Sequence, residues 1–296
     1  MTTKTAFIAI VGCPNVGKSS LLNNFIGSKI AIVSDKPQTT RTKIMGVLTK
    51  DEVQLVFTDT PGFHKPHNKL GEKMNEAVND SIGGVDACLF VIESFGEIKK
   101  GEKELISKMK SSKIPVILAI NKVDMLKDKK ELLKRISEFA ELLDFEAVVP
   151  VSAKTGEGVS ELLEEMEKLS FESPHFFPDD TLTDQPERIL VAEIIREKIL
   201  RLMDKEIPHG IAVSVEKMRE REDRDILDID AVIYCERERH KGMVIGKHGA
   251  MLKKISTYSR MDIEKFFGIQ VNLKTWVKVK EDWRNREGLI HNFGLD

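Results

Sequence analysis

The stretch Gly12-Cys13-Pro14-Asn15-Val16-Gly17-Lys18-Ser19 constrains this chain more than any other. It follows an apolar run, Ala6 to Val11, that reads as a buried strand, and it precedes Ser20 to Ile26, which reads as a helix. Strand, glycine-rich loop and helix in that order turn a G-x-x-x-x-G-K-[ST] match into a phosphate site. Backbone N–H groups of such a loop point inward as an anion nest, and the helix N-terminus adds the positive end of its dipole. Gly12 and Gly17 let the backbone close without a Cβ in the way. Lys18 is placed to reach phosphate oxygens as a point charge, and the Ser19 hydroxyl to hold Mg²⁺. A plain glycine turn would need every fixed position to match by coincidence.

The following segments repeat one plan. After a polar loop, Ser34 to Arg41, come a hairpin of two strands (Lys43 to Leu48 and Val53 to Phe57), a helix from Lys69 to Ile82, and a strand from Val85 to Ile92. A helix (Lys100 to Lys110), a strand (Ile114 to Ile120), a helix (Lys130 to Leu143), a strand (Ala147 to Val151) and a helix (Val159 to Leu169) complete it. Alternating strands and helices predict a mostly parallel sheet covered on both faces, with ligands beyond the C-terminal strand ends. Thr58-Asp59-Thr60-Pro61-Gly62, Asn121-Lys122-Val123-Asp124 and Ser152-Ala153-Lys154 all fall at such ends. Asp59 is where a parallel sheet places Mg²⁺-linked chemistry. A carboxylate at Asp124 can accept from guanine N1–H and the exocyclic amine together; adenine offers no such donor pair, so the carboxylate would stay buried and unpaired.

These segments, with Thr40, resemble the five guanine-nucleotide motifs of Ras-like GTPases in order and spacing, over about the first 170 residues. The resemblance implies a GTP site of Gly12, Asn15, Val16, Gly17, Lys18, Ser19, Ser20, Asp59, Gly62, Asn121, Lys122, Asp124, Ser152, Ala153 and Lys154. It implies Mg²⁺ held by Ser19 and Thr40, with Asp59 acting through water. It gives catalytic weight to Lys18, Thr40 and Gly62, whose N–H would meet the γ-phosphate. The Ala153 N–H would contact the guanine oxygen and Lys122 would pack over the base. Residues 33–42 and 60–75 would be nucleotide-ordered switches. Phe63 departs from the pattern: it stands where Ras-like enzymes carry the glutamine that orients water, so slow intrinsic hydrolysis is expected. Asn15 with an apolar residue at 63 resembles the potassium-stimulated class of GTPases. Asn15 as a simple brace of the loop stays open beside that reading.

Length alone, 296 residues, suggests two domains. Ser170 to Gln185 is aperiodic, with two prolines, and reads as a linker; His175 within it reads as packing or solvent. Beyond it come a helix (Pro186 to Asp204, with Ile189, Ala192, Ile195, Ile199 and Leu202 as its apolar stripe), a strand from His209 to Lys217, a charged turn from Met218 to Arg224 and a strand from Ile226 to Glu236. Then follow Val244-Ile245-Gly246-Lys247-His248-Gly249, a helix from Ala250 to Phe267 and a strand from Ile269 to Val279. That order with its G-x-x-G resembles a type II KH domain, an α+β module that clamps about four nucleotides of single strand. The expected RNA contacts are Val244, Ile245, Gly246, Lys247, His248, Gly249 and Lys253. From Arg237 onward 13 Lys/Arg stand against 7 Asp/Glu, although the whole chain is near neutral at −2. Trp283 reads first as covering the sheet end and second as a base-stacking ring.

The combination, residues 1–170, 171–185 and 186–296, resembles the Era family of bacterial GTPases. Pro37-Gln38-Thr39-Thr40-Arg41 and Val191 to Glu197 match that family too. The resemblance implies small-subunit ribosome assembly, binding near the 3′ end of 16S rRNA, and a cytoplasmic location with peripheral membrane association; no obligate oligomer is expected. Three isolated cysteines fit a reducing compartment, and no secretory segment or span-length apolar run is visible. A switch whose C-terminal fold binds a protein effector is the alternative. A membrane-trafficking GTPase is disfavoured by the missing lipidation motif.

Overall fold

In the computed structural model of the chain, residues 2–36, 38–63, 66, 68–203 and 210–295 are described, Lys129 by its backbone only. Pro37, the helix end expected at Asp204 and the strand start expected at His209 lie outside them. Two compact units result, neither continuous in sequence: residues 1–31, 40–66 and 71–184, and residues 32–39, 67–70 and 185–296.

The first unit is a sheet in the order β2-β3-β1-β4-β5-β6. Its strands are β1 (Lys4–Val11), β2 (Ile44–Lys50), β3 (Val53–Asp59), β4 (Ala87–Glu93), β5 (Val116–Asn121) and β6 (Ala147–Pro150). All neighbours pair in parallel except β2 and β3, which form the expected antiparallel hairpin. Alternate β1 residues serve opposite cores, as the period of two requires. Ala6, Ile8 and Ile10 meet α1 (Lys18–Ile26) and α5 (Val159–Glu167). Ala9 and Val11 meet the core of α2 (Lys69–Ile82), α3 (Lys100–Ser112) and α4 (Lys129–Ala140).

The segment read as a linker is tied to this unit through residue 184. Its two-residue strand β7 (Phe171–Glu172) pairs with the start of β1. Gln54 holds the Phe176 and Phe177 N–H groups at 2.8 and 3.0 Å. The Val47 N–H donates to the Leu182 carbonyl at 2.9 Å. His175 bridges Asp179 and the Glu52 carbonyl at 2.8 and 3.1 Å.

The second unit has the sheet order β10-β9-β8, from β8 (Ile211–Glu220), β9 (Ile226–Cys235) and β10 (Gln270–Val279). β8 is antiparallel to β9 and β10 parallel to it. The strand β8 runs into the charged stretch expected as a turn, and a bulge between Val215 and Lys217 re-aims its side chains. One sheet face packs on α6 (Glu187–Leu202), α7 (Glu238–Ile245) and α8 (Ala250–Phe267); α9 (Glu287–Asn292) follows a short 3-10 turn.

Helix α6 is buried on its charged side as well as its apolar stripe. The charged side grips the backbone of residues 33–39. Glu197 accepts from the Val33 N–H at 3.1 Å, and Arg201 donates to the Val33 carbonyl at 3.0 Å. Arg196 donates to the carbonyls of Gln38 and Thr39 while Glu193 holds its Nε at 2.7 Å.

Trp283 has no exposed surface; its indole N–H donates to the Gly210 carbonyl at 3.0 Å and its ring meets Phe293 edge-on. It is packing, and the base-stacking alternative for it falls. Trp283→Ala should cost roughly 3–5 kcal/mol in urea unfolding followed by circular dichroism, and Trp283→Phe clearly less.

Candidate functional site

The β1–α1 loop is built by close approach. A Cβ on Gly12 would strike the Val91 carbonyl, and one on Gly17 (φ 106°) would strike the Asn121 amide. Gly62 lies against Pro14, with room for no side chain: a Cβ would sit 2.6 Å from the Pro14 Cα. Asn15, at the exposed tip, takes a left-handed φ of 64°. The Lys18 ammonium is buried and donates to the carbonyls of Gly12 and Cys13, both at 3.1 Å. Burial lowers its pKa; the charge of Asp59 opposes that.

Three side-chain oxygens converge beside the loop. Ser19 Oγ donates to Asp59 Oδ2 at 2.6 Å and lies 2.8 Å from Thr40 Oγ1. The other Asp59 oxygen, Oδ1, is buried with no hydrogen-bond partner. Burial pushes the Asp59 carboxyl up to about 6, against Lys18 and the hydroxyl of Ser19. An all-oxygen set with one buried, unsatisfied carboxylate oxygen suits a hard divalent cation such as Mg²⁺. The Phe63 ring lies under the Lys108 ammonium, 4.2 Å from the centroid, and its backbone N–H donates to Gly12.

The second half of the site is tied to the first by one amide. Asn121 Nδ2 donates to the Val16 carbonyl at 2.8 Å, and Oδ1 accepts from the N–H groups of Lys122 and Ala153 at 2.8 and 2.9 Å. Asp124 Oδ1 accepts from Ser152 Oγ at 2.8 Å, and Lys154 stands 3.8 Å from Oδ2. The motif residues from the loop, β3, β5 and the turn after β6 are thus gathered at one end of the sheet. Two contacts add to the expectation. The Ala153 N–H is engaged by Asn121, and the Lys122 ammonium is held by Glu93 at 2.5 Å. The reading missed Glu93, which also takes Lys99 at 2.6 Å. Burial would raise its carboxyl, but hydrogen bonds from Lys122 and Lys99 outweigh it and hold the group below its usual range. Its only sequence signal was its place at the end of β4. All three thiols are buried and pushed up, to about 11 for Cys13 and about 12 for Cys88 and Cys235, which removes them as nucleophiles.

In the second unit, α7 and α8 meet at Gly246-Lys247-His248-Gly249. Gly246 (φ 72°) lies against Met251, where a Cβ would come within 2.7 Å of the Met251 Cβ. His248 (φ 51°) and Gly249 (φ 78°) are left-handed, and the Gly249 N–H closes on Gly246 at 3.1 Å. Lys247, His248 and Lys253 are exposed and Ile245 is half-buried. Val244 is a correction: it has no exposed surface and sits in the core, so it braces the loop from beneath and cannot touch RNA. Met243, not anticipated, is exposed beside the loop.

The raised Asp59 pKa has a sign that can be checked. Without metal the folded state binds a proton there up to about pH 6, the unfolded state only up to about 3.8. Metal-free wild type should therefore lose stability, relative to Asp59→Asn, as pH rises from about 4 to about 6 and level off above. The loss is on the order of 3 kcal/mol by denaturant titration in chelator.

Family models match in the same two places: "50S ribosome-binding GTPase" over residues 7–122 and "KH domain" over residues 206–284. GTPase Era of Clostridioides difficile (strain 630) is 50% identical over 293 residues, 99% of both chains. GTPase Era of Alkaliphilus metalliredigens (strain QYMF) is 46% identical over 297 residues and the full length of both. A variant of Aquifex aeolicus Era bound to GDP·AlF4⁻ superposes with TM-score 0.95 at 37% identity, covering 99% of each chain. Era in complex with MgGDPNP and nucleotides 1506–1542 of 16S ribosomal RNA gives 0.95 at 38%, again with 99% of each chain covered. This chain belongs to the Era family: it is a GTPase with a Ras-like P-loop domain followed by a KH domain.

Proposed function

We propose that the chain is a GTP-driven switch that binds the 3′ end region of 16S rRNA and acts in 30S subunit assembly. The observation that carries the nucleotide half is the convergence of Ser19, Thr40 and Asp59 oxygens beside the buried Lys18. Mg²⁺ there, when bound with GTP, supplies the charge neutralisation that phosphoryl transfer needs. Lys18 would leave the Gly12 and Cys13 carbonyls for the β- and γ-phosphates, and the Gly62 N–H would meet the γ-phosphate. Asp124, already oriented by Ser152, would select guanine. Gly12, Asn15, Val16, Gly17, Ser20, Asn121, Lys122, Ala153 and Lys154 complete the proposed nucleotide site. The RNA half is supported by the exposed Lys247 and His248 on a glycine-framed loop, and by the RNA complex of the similar Era. Residues 1–170, 171–185 and 186–296 are the proposed functional division, with a cytoplasmic location and peripheral membrane association; no described helix is long and apolar enough to cross a membrane.

The test is binding of a short RNA from the 3′ end of small-subunit rRNA to the GTP-analogue and GDP forms, beside Lys247→Asp/His248→Asp. Tighter binding in the GTP form, lost in the variant, is expected. Binding equal in both nucleotide states removes the switch; no binding at all favours a protein effector. Lys18→Ala should abolish GTP turnover and leave RNA binding in place. Intrinsic hydrolysis should be slow, since Phe63 cannot orient water, and faster in KCl than in NaCl at equal ionic strength if Asn15 helps to hold a monovalent cation. Equal rates in the two salts leave Asn15 as a brace.

A further inference from the structure

Phe63 occupies the position from which a Ras-like enzyme aims water at the γ-phosphate, and its backbone and its ring serve different places. The backbone N–H donates to the Gly12 carbonyl at 3.2 Å, which holds residue 63 at the phosphate loop. Gly62 before it is pressed on Pro14. The ring is half-buried and packs on the core shared by α2 and α3. The first turn of α3 lies alongside it: a Cβ on Gly101 would stand 3.7 Å from Phe63 Cδ1, in ordinary van der Waals contact.

Lys108, two turns further along α3, covers the ring. Its ammonium stands 4.2 Å from the ring centroid and donates to Asn79 Oδ1 in the last turn of α2. Of the four lysines on α3, Lys100, Lys103 and Lys110 are exposed and Lys108 is half-buried. A lysine kept for solubility would extend into water as those three do. Packing does not wedge this one in place either. An open cleft of about 460 Å³, lined by Asn79, Ile82, Gly83, Ser107, Lys108 and Ser111, borders it between the two helices. The ring and the Asn79 amide are what set where the charge sits.

We propose that Lys108 is a positioning residue for GTP hydrolysis: held by Asn79, its ammonium keeps the Phe63 ring on α3 and out of the space where water stands against the γ-phosphate. The inference rests on the reading that the Gly62 N–H meets the γ-phosphate, and it deepens that reading. A phenyl ring has no donor or acceptor with which to orient water, and turned toward the phosphate it would displace the nucleophile. A cation over an aromatic face is attracted by the ring quadrupole, more strongly where water is partly excluded. Lys108 acts only through Phe63, so its effect falls on the chemical step and not on nucleotide affinity.

Single-turnover GTP hydrolysis and GDP affinity are measured at fixed KCl for full-length wild type, Lys108→Met and Lys108→Arg, each also in a Phe63→Ala background. Methionine keeps the apolar stem and drops the charge. Lys108→Met should slow hydrolysis about fivefold, the size of the ring–cation attraction read as a population ratio, and leave GDP affinity within about twofold. Lys108→Arg, which keeps a cation and a donor, should hold the rate within about twofold of wild type. In Phe63→Ala no ring is left to hold, so Lys108→Met should there change the rate by less than about twofold. An equal loss in both backgrounds makes Lys108 a structural residue and overturns the proposal. An unchanged or faster rate in Lys108→Met overturns it too, as does a GDP affinity that falls in step with the rate. Wild type and Lys18→Ala hydrolysing GTP equally would bring down the nucleotide-site reading itself, whatever Lys108 does.

Discussion

The nucleotide end of this molecule depends on a single side-chain amide. Asn121 ends β5, is almost fully buried, and spends its donor on the P-loop and its acceptor on the turn after β6. The phosphate and base halves of a GTP site are about 60 to 140 residues apart in sequence, and loops of their composition have no reason to hold a common register. A buried hydrogen-bonded network gives them one, because leaving any member unpaired costs the full desolvation of that group. Gly17 completes the constraint: only a residue without a Cβ lets the loop pass this amide.

What was legible in the sequence follows from how local the physics is. The P-loop, the β2–β3 hairpin and the strand-helix alternation are each fixed by neighbours within about twenty residues, and the elements appear where the pattern puts them. Glu93 was not legible, because what gives it a role is register: β4 lies beside β5 and sets Glu93 opposite Asn121, within reach of Lys122. Val244 was misjudged for a related reason. The loop motif says which residues are near the turn, but the packing of α7 on the sheet decides which of them face inward.

Helix α6 makes the same point with charge. Its sequence shows an apolar stripe, and a charged opposite side is ordinarily left to solvent. Here most of that side is covered because backbone N–H and carbonyl groups of residues 33–39 need partners: Arg196, Glu197 and the more exposed Arg201 supply them, and Glu193 holds Arg196 in place. Such charges are tolerated only because each is multiply bonded; Glu197 alone serves Val33, Lys198 and Arg201. Helical periodicity records what a face avoids, not what comes to cover it.

The edge of the first sheet carries a last consequence. β2 is its outermost strand on one side, and an outermost strand offers a row of unmet N–H and carbonyl groups to any chain that passes. In this molecule the segment after α5 lies along it: Leu182 accepts from Val47, and the Thr183 hydroxyl donates to the Met45 carbonyl. The proposed functional modules divide at residue 170, but the first compact unit runs on to residue 184, and a cut at 170 would bare that row. The stretch that leads from one unit to the next thus also covers a sheet edge that would otherwise be open to another strand, which ties its length and course to the integrity of the first sheet.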